Sequence, residues 1–501
     1  MKDLRKLGNP IEFWDYFYEI SQIPRCSQKE EKIRDYVKNE AKKFNYDTRV
    51  DDIGNIVIKV PSKQDISKTK IVLQSHMDMV CEKNSDIEHD FSKDALKLIT
   101  IRKDDEEWLT ADGTTLGADN AVGMAYQLAI MKKIYDGSLN LGPLTLDLLF
   151  TVDEERGLSG ASQMDKNMIE GKYLINLDSE EDDEFTIGCA GGRVFRVEFE
   201  KATEEELLEK DKFPIKISVS GLIGGHSGMD INKGRGNAVK ILIEILWKID
   251  SSFDISINTI EGGNLSNAIP REAIAILYIN KSQKDEIDSF TEEIVPKIKA
   301  LYSGIEPDLT IKVEQVSDFK KNLNFNKNFQ HKLIHLFNLI PTGPIYNHPT
   351  SKGLVHTSLN FASIDTLEDR IEIKISTRSL TEYDKENLFE RIKSLIKMTG
   401  LNFKVIIETV YPSWSPNFKS EIVKTSKKVY MDIFDDEVRI KAIHAGLECA
   451  FFSHYYPEMQ MISIGPDIIM GHSPDERLRI KSVEKIWNFL IKFLEKLIEI
   501  S

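Results

Sequence analysis

Histidines and carboxylates follow the apolar runs of this sequence where the predicted strands end. They are His76 and Asp78 after IVLQ, Asp119 at the start of the helical pattern in GADNAVG, Asp153, Glu154 and Glu155 after LDLLFTV, Asp178 after YLINL, and His472 in the loop after MISI. Because open α/β sheets hold ligands at the carboxyl ends of their strands, these side chains are predicted to gather at one sheet edge. Imidazoles mixed with carboxylates suit Zn²⁺, Mn²⁺ or Co²⁺. A set this large predicts two ions rather than one.

Different roles are expected for Asp78 and for the pair Glu154 and Glu155. His76 and Asp78 are two residues apart, so an extended backbone directs both side chains the same way. Asp78 is therefore predicted to accept the second ring N–H of His76 and to fix its tautomer. Adjacent glutamates cannot easily bind one ion together. One of the two is predicted to bind metal and its neighbour to act as general base on a water molecule.

Taken alone, each of these residues has a plainer interpretation. His76 fits a buried structural histidine, Asp119 fits a helix N-cap, and residues 153–155 fit a solvated turn. Asp178 begins an acidic stretch that reads as a linker, so only convergence favours a metal centre. His331 and His335 in HKLIH have the spacing of a zinc-peptidase helix, but Lys332 stands where that motif has its catalytic Glu. This pair is predicted to be structural.

The predicted elements around these residues alternate between strand and helix. Apolar runs at 55–60, 71–74, 144–152 and 173–177, with a helix after Asp119, indicate an α/β fold with a mixed, largely parallel sheet. Nearer the N-terminus, Ser27 and Glu30 have the spacing of a capping box, which predicts the start of a helix there. From about 186 to 405 the pattern changes to α+β, and the α/β pattern resumes beyond Tyr411. The middle of the chain is therefore predicted to be an insertion.

Composition narrows the classes of function. The 501 residues include 66 Lys plus Arg against 81 Asp plus Glu, a net charge of −15 that disfavours binding to nucleic acid or to anionic membranes. No apolar run approaches the ~18 residues of a membrane span. The four cysteines, Cys26, Cys81, Cys189 and Cys449, have no CxxC spacing, so neither a disulfide framework nor a thiolate zinc site is expected. Cys81 and Cys449 are predicted to be buried thiols, and the protein to be cytoplasmic.

As an ordered set, the motifs of this chain resemble those of a known family. The motifs are SHMDMVCEKN, LGADNAVG, DEERG, NLDSE, GGHSGMDI, GRGNA, GGNLSNAIP, HAGLE and GPDIIMGHSPDE, spread from position 75 to position 476. They resemble the aminoacyl-histidine dipeptidases, or cytosol non-specific dipeptidases, of the di-zinc metallopeptidase family that includes carnosinase and peptidase T. The resemblance implies a di-zinc peptidase-type catalytic domain with an inserted α+β lid domain.

The resemblance also assigns roles at the sheet edge. It implies one metal bound by His76 and Asp178, a second bound by Glu155 and His472, and a bridge formed by Asp119. It makes Glu154 the general base and Asp78 the partner of His76. In this family, Asp at the position of Asp178 is typical of peptidases, whereas deacylating members have Glu.

The inserted segment receives its roles from the resemblance as well. Residues 1–186 and 406–501 are expected to form the catalytic domain, and residues 187–405 a lid and dimerisation domain of two similar α+β halves. His226 resembles the residue that stabilises the oxyanion, while Asn267 and Arg378 resemble those that hold the substrate carboxylate. Gly446 is expected at the same pocket. Family members are often homodimers through the lid.

The predicted function is hydrolysis of unblocked dipeptides, of the Xaa-His type and broader, by a water activated by two metal ions. Zn²⁺ is the expected ion, with Mn²⁺ or Co²⁺ open. A dipeptide substrate is the expected partner, without nucleic acid or membrane, and the chain is expected to form a homodimer through the lid domain. An N-acyl amino acid deacylase of the same family is the nearest alternative function. A non-catalytic metal-binding scaffold and a metal-free structural dimer are alternatives from other functional classes.

Overall fold

The computed structural model describes residues 4–62, 69–205, 212–316 and 323–500. The chain forms two compact units, each with its own hydrophobic core. The first unit contains Met1–Cys189, Trp414–Ala442 and Leu447–Ser501, and the second contains Ala190–Ser413 and Ile443–Gly446. The sequence predicts an insertion at 187–405, and its role as a lid stays a prediction.

Helices and strands are numbered in chain order. Residues 4–189 contain α1 (Ile11–Ser21), α2 (Glu31–Lys43), β1 (Asp47–Val50), β2 (Ile56–Val60), β3 (Thr69–His76), β4 (Leu98–Lys103), β5 (Glu106–Ala111), α3 (Ala118–Asp136), β6 (Leu144–Thr151), α4 (Glu154–Gly157), α5 (Ser159–Ser162), β7 (Tyr173–Asn176) and β8 (Glu184–Cys189). Residues 190–413 contain β9 (Gly191–Glu200), β10 (Thr203–Glu205), β11 (Lys212–Ser220), β12 (Gly225–His226), α6 (Ala238–Asp250), β13 (Ile255–Gly262), β14 (Ala268–Ile269), β15 (Ala273–Asn280), α7 (Lys284–Tyr302), β16 (Thr310–Gln315), β17 (Leu323–Phe325), α8 (Lys327–Leu339), β18 (Gly343–Asn347), β19 (Val355–Thr366), β20 (Arg370–Ser379), α9 (Glu382–Met398) and β21 (Phe403–Tyr411). Residues 414–500 contain α10 (Glu421–Phe434), β22 (Arg439–Ile443), α11 (Cys449–Tyr455), β23 (Gln460–Ser463), β24 (Ile468–Ile469), β25 (Arg477–Arg479) and α12 (Ile480–Glu499).

An eight-stranded sheet organises the first unit in the order β1-β2-β6-β3-β7-β23-β8-β22, counted over the described residues. Its central strands β6, β3, β7 and β23 are parallel, in a register that pairs His76 with Thr151 and Gln74 with Asn176. Strands β3 and β6 are almost continuously buried, as expected for parallel strands covered on both faces. The four carboxyl ends therefore meet at one edge of the sheet.

The mixed α/β architecture predicted from the sequence is confirmed, with parallel pairing at the centre of the sheet. Strands β1 and β2 pair antiparallel at one side, and β8 joins β23 antiparallel at the other. Helix α12 buries an apolar face along its whole length, including Val483, Leu490 and Leu497. No helix in the described part of the chain is both long enough and apolar enough to cross a bilayer.

The second unit is built on a nine-stranded sheet, counted over the described residues, in the order β16-β11-β15-β13-β19-β20-β9-β21 with β18 paired to β19. All pairings of this sheet are antiparallel. Strands β9 and β11 alternate between buried and partly exposed residues because one face packs on the core of the unit. Helix α6 packs against this sheet and against α8.

One local prediction is wrong. Helix α2 begins at Glu31 with Glu30 at its N-cap position, and no side chain caps it. Ser27, predicted as the cap, instead donates its hydroxyl hydrogen bond to Asp78 over 2.7 Å. A tertiary contact has replaced the local one.

Candidate metal centre

The eight residues predicted for the sheet edge all belong to the first unit, with Asp153 directly before α4. His76 ends β3, Asp119 lies in the first turn of α3, and Glu154 and Glu155 begin α4 directly after β6. The remaining three lie in loops: Asp78 after β3, Asp178 after β7 and His472 between β24 and β25. These side chains lie near one another because the central strands end at the same edge of the sheet.

One half of the centre is grouped around His76. Its Nε2 lies 2.9 Å from Asp119 Oδ1 and 3.3 Å from Asp178 Oδ1. His76, Asp119 and Asp178 each offer a ligand atom, and these atoms lie within 4.8 Å of one another. Three ligands at this spacing fit one cation.

The other half is grouped around His472. Its Nε2 lies 2.9 Å from Glu155 Oε2 and 3.2 Å from Asp119 Oδ2. These three residues also have ligand atoms within 4.8 Å of one another. Asp119 therefore directs one carboxylate oxygen toward each histidine, which is the arrangement a bridging ligand needs. The donors present fit a pair of divalent cations.

The charges at this edge are unbalanced without cations. Burial, opposed by His76 and reinforced by Asp119, raises the pKa of Asp178 to about 7. Hydrogen bonds to Asp119 and Glu155 raise the pKa of His472 to about 11, because its surroundings are strongly negative. Carboxylates packed this closely need compensating positive charge, which bound cations supply.

Asp78 organises both sides of the centre. Its Oδ1 accepts from the backbone N–H of Glu154 over 3.0 Å and lies 3.3 Å from His76 Nδ1. Its Oδ2 accepts from the Glu155 N–H over 3.2 Å and from Ser27 Oγ. Although burial raises the pKa of Asp78, these donors lower it to about 2. Asp78 stays ionised and fixes the helix turn that bears both glutamates.

Glu154 differs from Glu155 in its surroundings. The Glu155 carboxylate is 3% exposed and pairs with His472. The Glu154 carboxylate also comes within 4.8 Å of ligand atoms of His76 and Glu155, but it lies outside the two groups that share Asp119. Burial raises the pKa of Glu154 well above its ordinary value, and the nearby carboxylates Asp178 and Glu155 add to this effect. Such a carboxylate is suited to receiving a proton near neutral pH.

Two buried residues that the sequence interpretation missed hold the loop before α3. The carboxylate of Glu476 accepts from the backbone N–H groups of Leu116, Gly117 and Asp119 over 2.9, 2.8 and 3.3 Å. Arg25 donates to the carbonyls of Met77, Asp78 and Gly117. Glu476 closes the motif GPDIIMGHSPDE, which is a usable signal, whereas nothing in the sequence marks Arg25.

Two further supporting residues were missed. Asn120, joined to Asp119 by a cis peptide, donates its side-chain amide to Asp178. Glu448 is fully buried and accepts from Gln74 Nε2 over 2.6 Å and from Thr151 Oγ1 over 2.8 Å. Glu448 belongs to the motif HAGLE, in which the sequence interpretation singled out Gly446 instead.

The residues predicted to contact the substrate lie in the second unit, including Gly446 from the segment predicted to be catalytic. Arg378 is buried near the end of β20, Asn267 precedes β14 in an exposed turn, and Gly446 lies in the loop after β22. His226 Nδ1 accepts from the N–H groups of Gly228 and Met229 over 3.2 and 3.1 Å. Burial and the charge of Arg378 lower the pKa of His226. The roles of these four residues stay predictions.

The prediction for the cysteines is wrong for one pair. Cys26 and Cys81 form a disulfide, with their Cα atoms 5.7 Å apart, whereas Cys449 is a buried thiol as expected. Cys189, for which no prediction was made, is also a buried thiol. A separation of 55 residues gives no sequence signal. The contact arises because the loop after α1 forms a bridge between Cys26 and Met79 beside β3.

Comparison with known proteins places the chain in a family. The model of peptidase family M20/M25/M40 matches residues 72–496. A cytosol non-specific dipeptidase of Escherichia coli K12 is 36% identical over 503 residues, which cover 99% of each chain. The crystal structure of an aminoacylhistidine dipeptidase from Vibrio alginolyticus superposes with a TM-score of 0.87 at 33% identity, covering 97% of this chain and 96% of that one.

A more distant likeness extends to a tripeptidase structure from Staphylococcus aureus, with a TM-score of 0.55, 15% identity and 98% coverage of both chains. At that identity the likeness concerns the fold alone. The family model and the near full-length relative decide the assignment: this chain belongs to peptidase family M20/M25/M40.

Proposed function

We propose that this protein is a metal-dependent dipeptidase that hydrolyses unblocked dipeptides, including those with a C-terminal histidine. The observation that carries the proposal is the pair of ligand groups that share Asp119, with the Glu154 carboxylate beside them but outside both groups. The names of the full-length relatives support dipeptides as the substrate class.

The ligands divide between two cations. His76 and Asp178 would hold one, Glu155 and His472 the other, and Asp119 both. Two such cations, when bound, lower the pKa of water and polarise a peptide carbonyl. Zn²⁺ is the ion we propose, because imidazole and carboxylate ligands both suit it. Metal analysis of protein purified without chelators tests this choice against Mn²⁺ and Co²⁺.

Glu154 is the proposed general base. It takes a proton from the attacking water and returns it to the departing amine, a cycle that requires a carboxylate with a pKa closer to neutral than usual. The raised pKa of Glu154 supports this role. Asp78 accepts a hydrogen bond from the Glu154 backbone N–H and so fixes the backbone position from which the Glu154 side chain extends.

His226 is the proposed donor to the carbonyl oxygen as negative charge develops on it. Because Nδ1 accepts two backbone N–H groups, the neutral ring carries its proton on Nε2, where it is free to be donated. The lowered pKa of His226 keeps the ring neutral. A well-placed donor of this kind lowers a barrier by about 2.7–4 kcal/mol.

Recognition of the substrate carboxylate is proposed for Arg378 and Asn267, with Gly446 at the same pocket. The guanidinium of Arg378 offers paired donors that match a carboxylate, and the residue is buried, 7% exposed. Binding both the free amine and the carboxylate would limit substrates to two residues. The proposal further includes a cytoplasmic location and a homodimer formed through the second unit. Sedimentation of the purified protein tests whether it is a dimer.

The decisive experiment compares Glu154→Gln with Glu155→Gln. Glu154→Gln should lower kcat for Ala-His by about 10²–10⁴-fold with both metals retained. Glu155→Gln should lose metal, because it removes a ligand rather than the base. Unchanged turnover in Glu154→Gln would contradict the assignment and favour a non-catalytic scaffold.

The substrate class needs its own comparison. Wild-type protein should hydrolyse Ala-His faster than N-acetyl-histidine and faster than a tripeptide with the same first two residues. Preference for the acetylated compound would instead identify an N-acyl amino acid deacylase. Rapid hydrolysis of the tripeptide would contradict the proposed limit of two residues.

A further inference from the structure

A second group of metal-ligating side chains lies in the second unit, where the proposed hydrolysis has no use for it. Asp250 ends α6, and His331 and His335 lie one turn apart on α8. Each offers one ligand atom, and these atoms lie within 4.8 Å of one another. The structural interpretation of the histidine pair depended on Lys332, which excludes a zinc-peptidase motif but does not exclude metal binding.

The side chains of this group lie close together, and each histidine offers either Nδ1 or Nε2 as its ligand atom. His331 Nδ1 lies 3.1 Å from Asp250 Oδ2, and the two imidazole rings are 4.2 Å apart between centroids. His335 Nε2 is buried and has no hydrogen-bond partner among the described residues. A buried ring nitrogen without a partner is costly in a folded protein, and a bound cation would satisfy it.

The carboxylate of the group is already held in place. Asp250 Oδ1 accepts from Gln330 Nε2 over 2.6 Å, which leaves Oδ2 on the side of His331. Gln330 is itself fully buried and anchored, since its Oε1 accepts from the N–H of Ile257 over 2.6 Å. Partners that orient a ligand in this way strengthen metal binding, and their loss typically costs ~10–100-fold in affinity.

We propose that Asp250, His331 and His335 bind one further divalent cation of the zinc class, which links the end of α6 to α8. Two imidazoles at i and i+4 with one carboxylate supply three ligands and leave a fourth position for water. The His331 side chain is 61% exposed, so the ion exchanges with solvent. The site takes no part in hydrolysis and stabilises the packing of the two helices.

The test counts zinc rather than activity. Full-length wild type, Asp250→Asn, His331→Ala and the control His454→Ala are dialysed against one buffered zinc solution, and zinc per chain is measured by mass spectrometry. His454 is an exposed histidine of the first unit without a role in either metal group. Asp250→Asn keeps the shape of the side chain and the acceptor for Gln330, so it separates loss of a ligand from loss of structure.

Wild type and His454→Ala should each hold one zinc more per chain than Asp250→Asn and His331→Ala, with Ala-His hydrolysis equal in all four. Added zinc should raise the unfolding temperature of wild type further than that of the two ligand variants. Equal zinc in all four proteins would overturn the proposal. So would loss of zinc together with loss of hydrolysis, because the missing ion would then belong to the centre at Asp119. The zinc difference stands whether or not the chain proves to be a dipeptidase.

Discussion

Replacing Asp78 with Asn tests the geometry of the centre without removing a metal ligand. Oδ1 of Asp78 faces the Glu154 N–H and His76 Nδ1, while Oδ2 faces the Glu155 N–H and Ser27 Oγ. An amide has one oxygen, so its NH₂ group must face one of these pairs. In either orientation a backbone N–H meets another donor at the position where an acceptor was.

The size of the effect follows from that mismatch. A buried donor left without its acceptor costs about 1–3 kcal/mol, and at ~1.4 kcal/mol per tenfold this is about 5- to 150-fold. Asp78 is fully buried, so water cannot replace the lost acceptor. The loss is expected in kcat for Ala-His and in metal affinity, because both glutamates and His76 depend on the same carboxylate.

The assay measures steady-state hydrolysis of Ala-His and metal content at several buffered metal concentrations. Ser27→Ala is the matched control, since it removes one donor to Oδ2 and leaves both backbone N–H donors with their carboxylate acceptors. This variant should lose less activity than Asp78→Asn. Full activity in Asp78→Asn with both metals bound would refute the organising role of Asp78.

Two further predictions concern stability. Burial, and next the charge of Arg378, lower the pKa of His444 from 6.5 to about 3. The contribution of the neutral His444 ring to the free energy of unfolding is therefore complete above pH 6.5 and is lost as the pH falls toward 3. Because of this group, the free energy of unfolding should fall by about 2 kcal/mol between pH 8 and pH 5. Urea titrations of His444→Gln should show a correspondingly smaller fall. An equal fall in both proteins would contradict the lowered pKa of His444. The Cys26–Cys81 disulfide joins residues 55 apart, a loop whose closure is worth roughly 4 kcal/mol, so Cys26→Ser should unfold at lower temperature. Thiol titration of unreduced, denatured wild type should find Cys189 and Cys449 alone, and four reactive thiols would contradict the disulfide.

The disulfide also bears on location. Disulfides are rare in reducing compartments, so the Cys26–Cys81 bond and the proposed cytoplasmic location predict different thiol states in intact cells. Acid quenching of the cells, followed by alkylation of the denatured protein without reductant, distinguishes them. Two alkylated cysteines per chain would favour the disulfide, whereas four would favour the cytoplasmic environment.

The parallel centre of the first sheet was predictable because its signal is local. Each central strand is a short apolar run, and buried parallel strands require such runs. The rule that ligands gather at the carboxyl ends of the strands then selects residues such as His76 and Asp178 without coordinates. The predicted ends of the strands were close to the observed ends for the same reason: β6 ends at Thr151 rather than at the predicted residue 152.

Contacts between distant segments were not predictable from the sequence. Ser27 has the spacing of a helix cap, yet its hydroxyl binds Asp78, because the loop after α1 passes beside β3. Arg25 has no neighbouring pattern at all, and only the fold directs its guanidinium to three carbonyls near the centre. A buried polar group is satisfied by whatever partner the fold brings near it, and the local sequence does not record which partner that is.

The sequence by itself determined the strands, the residue types at their ends and therefore the class of chemistry, since periodicity and ligand chemistry are properties of short stretches. Only the tertiary structure decided that Asp119 directs one oxygen to each histidine, that Asp78 holds the turn with both glutamates, and that Asp250 joins His331 and His335. Those arrangements depend on loop closure and helix packing over tens to hundreds of residues, where the energy lies in contacts between segments rather than within them.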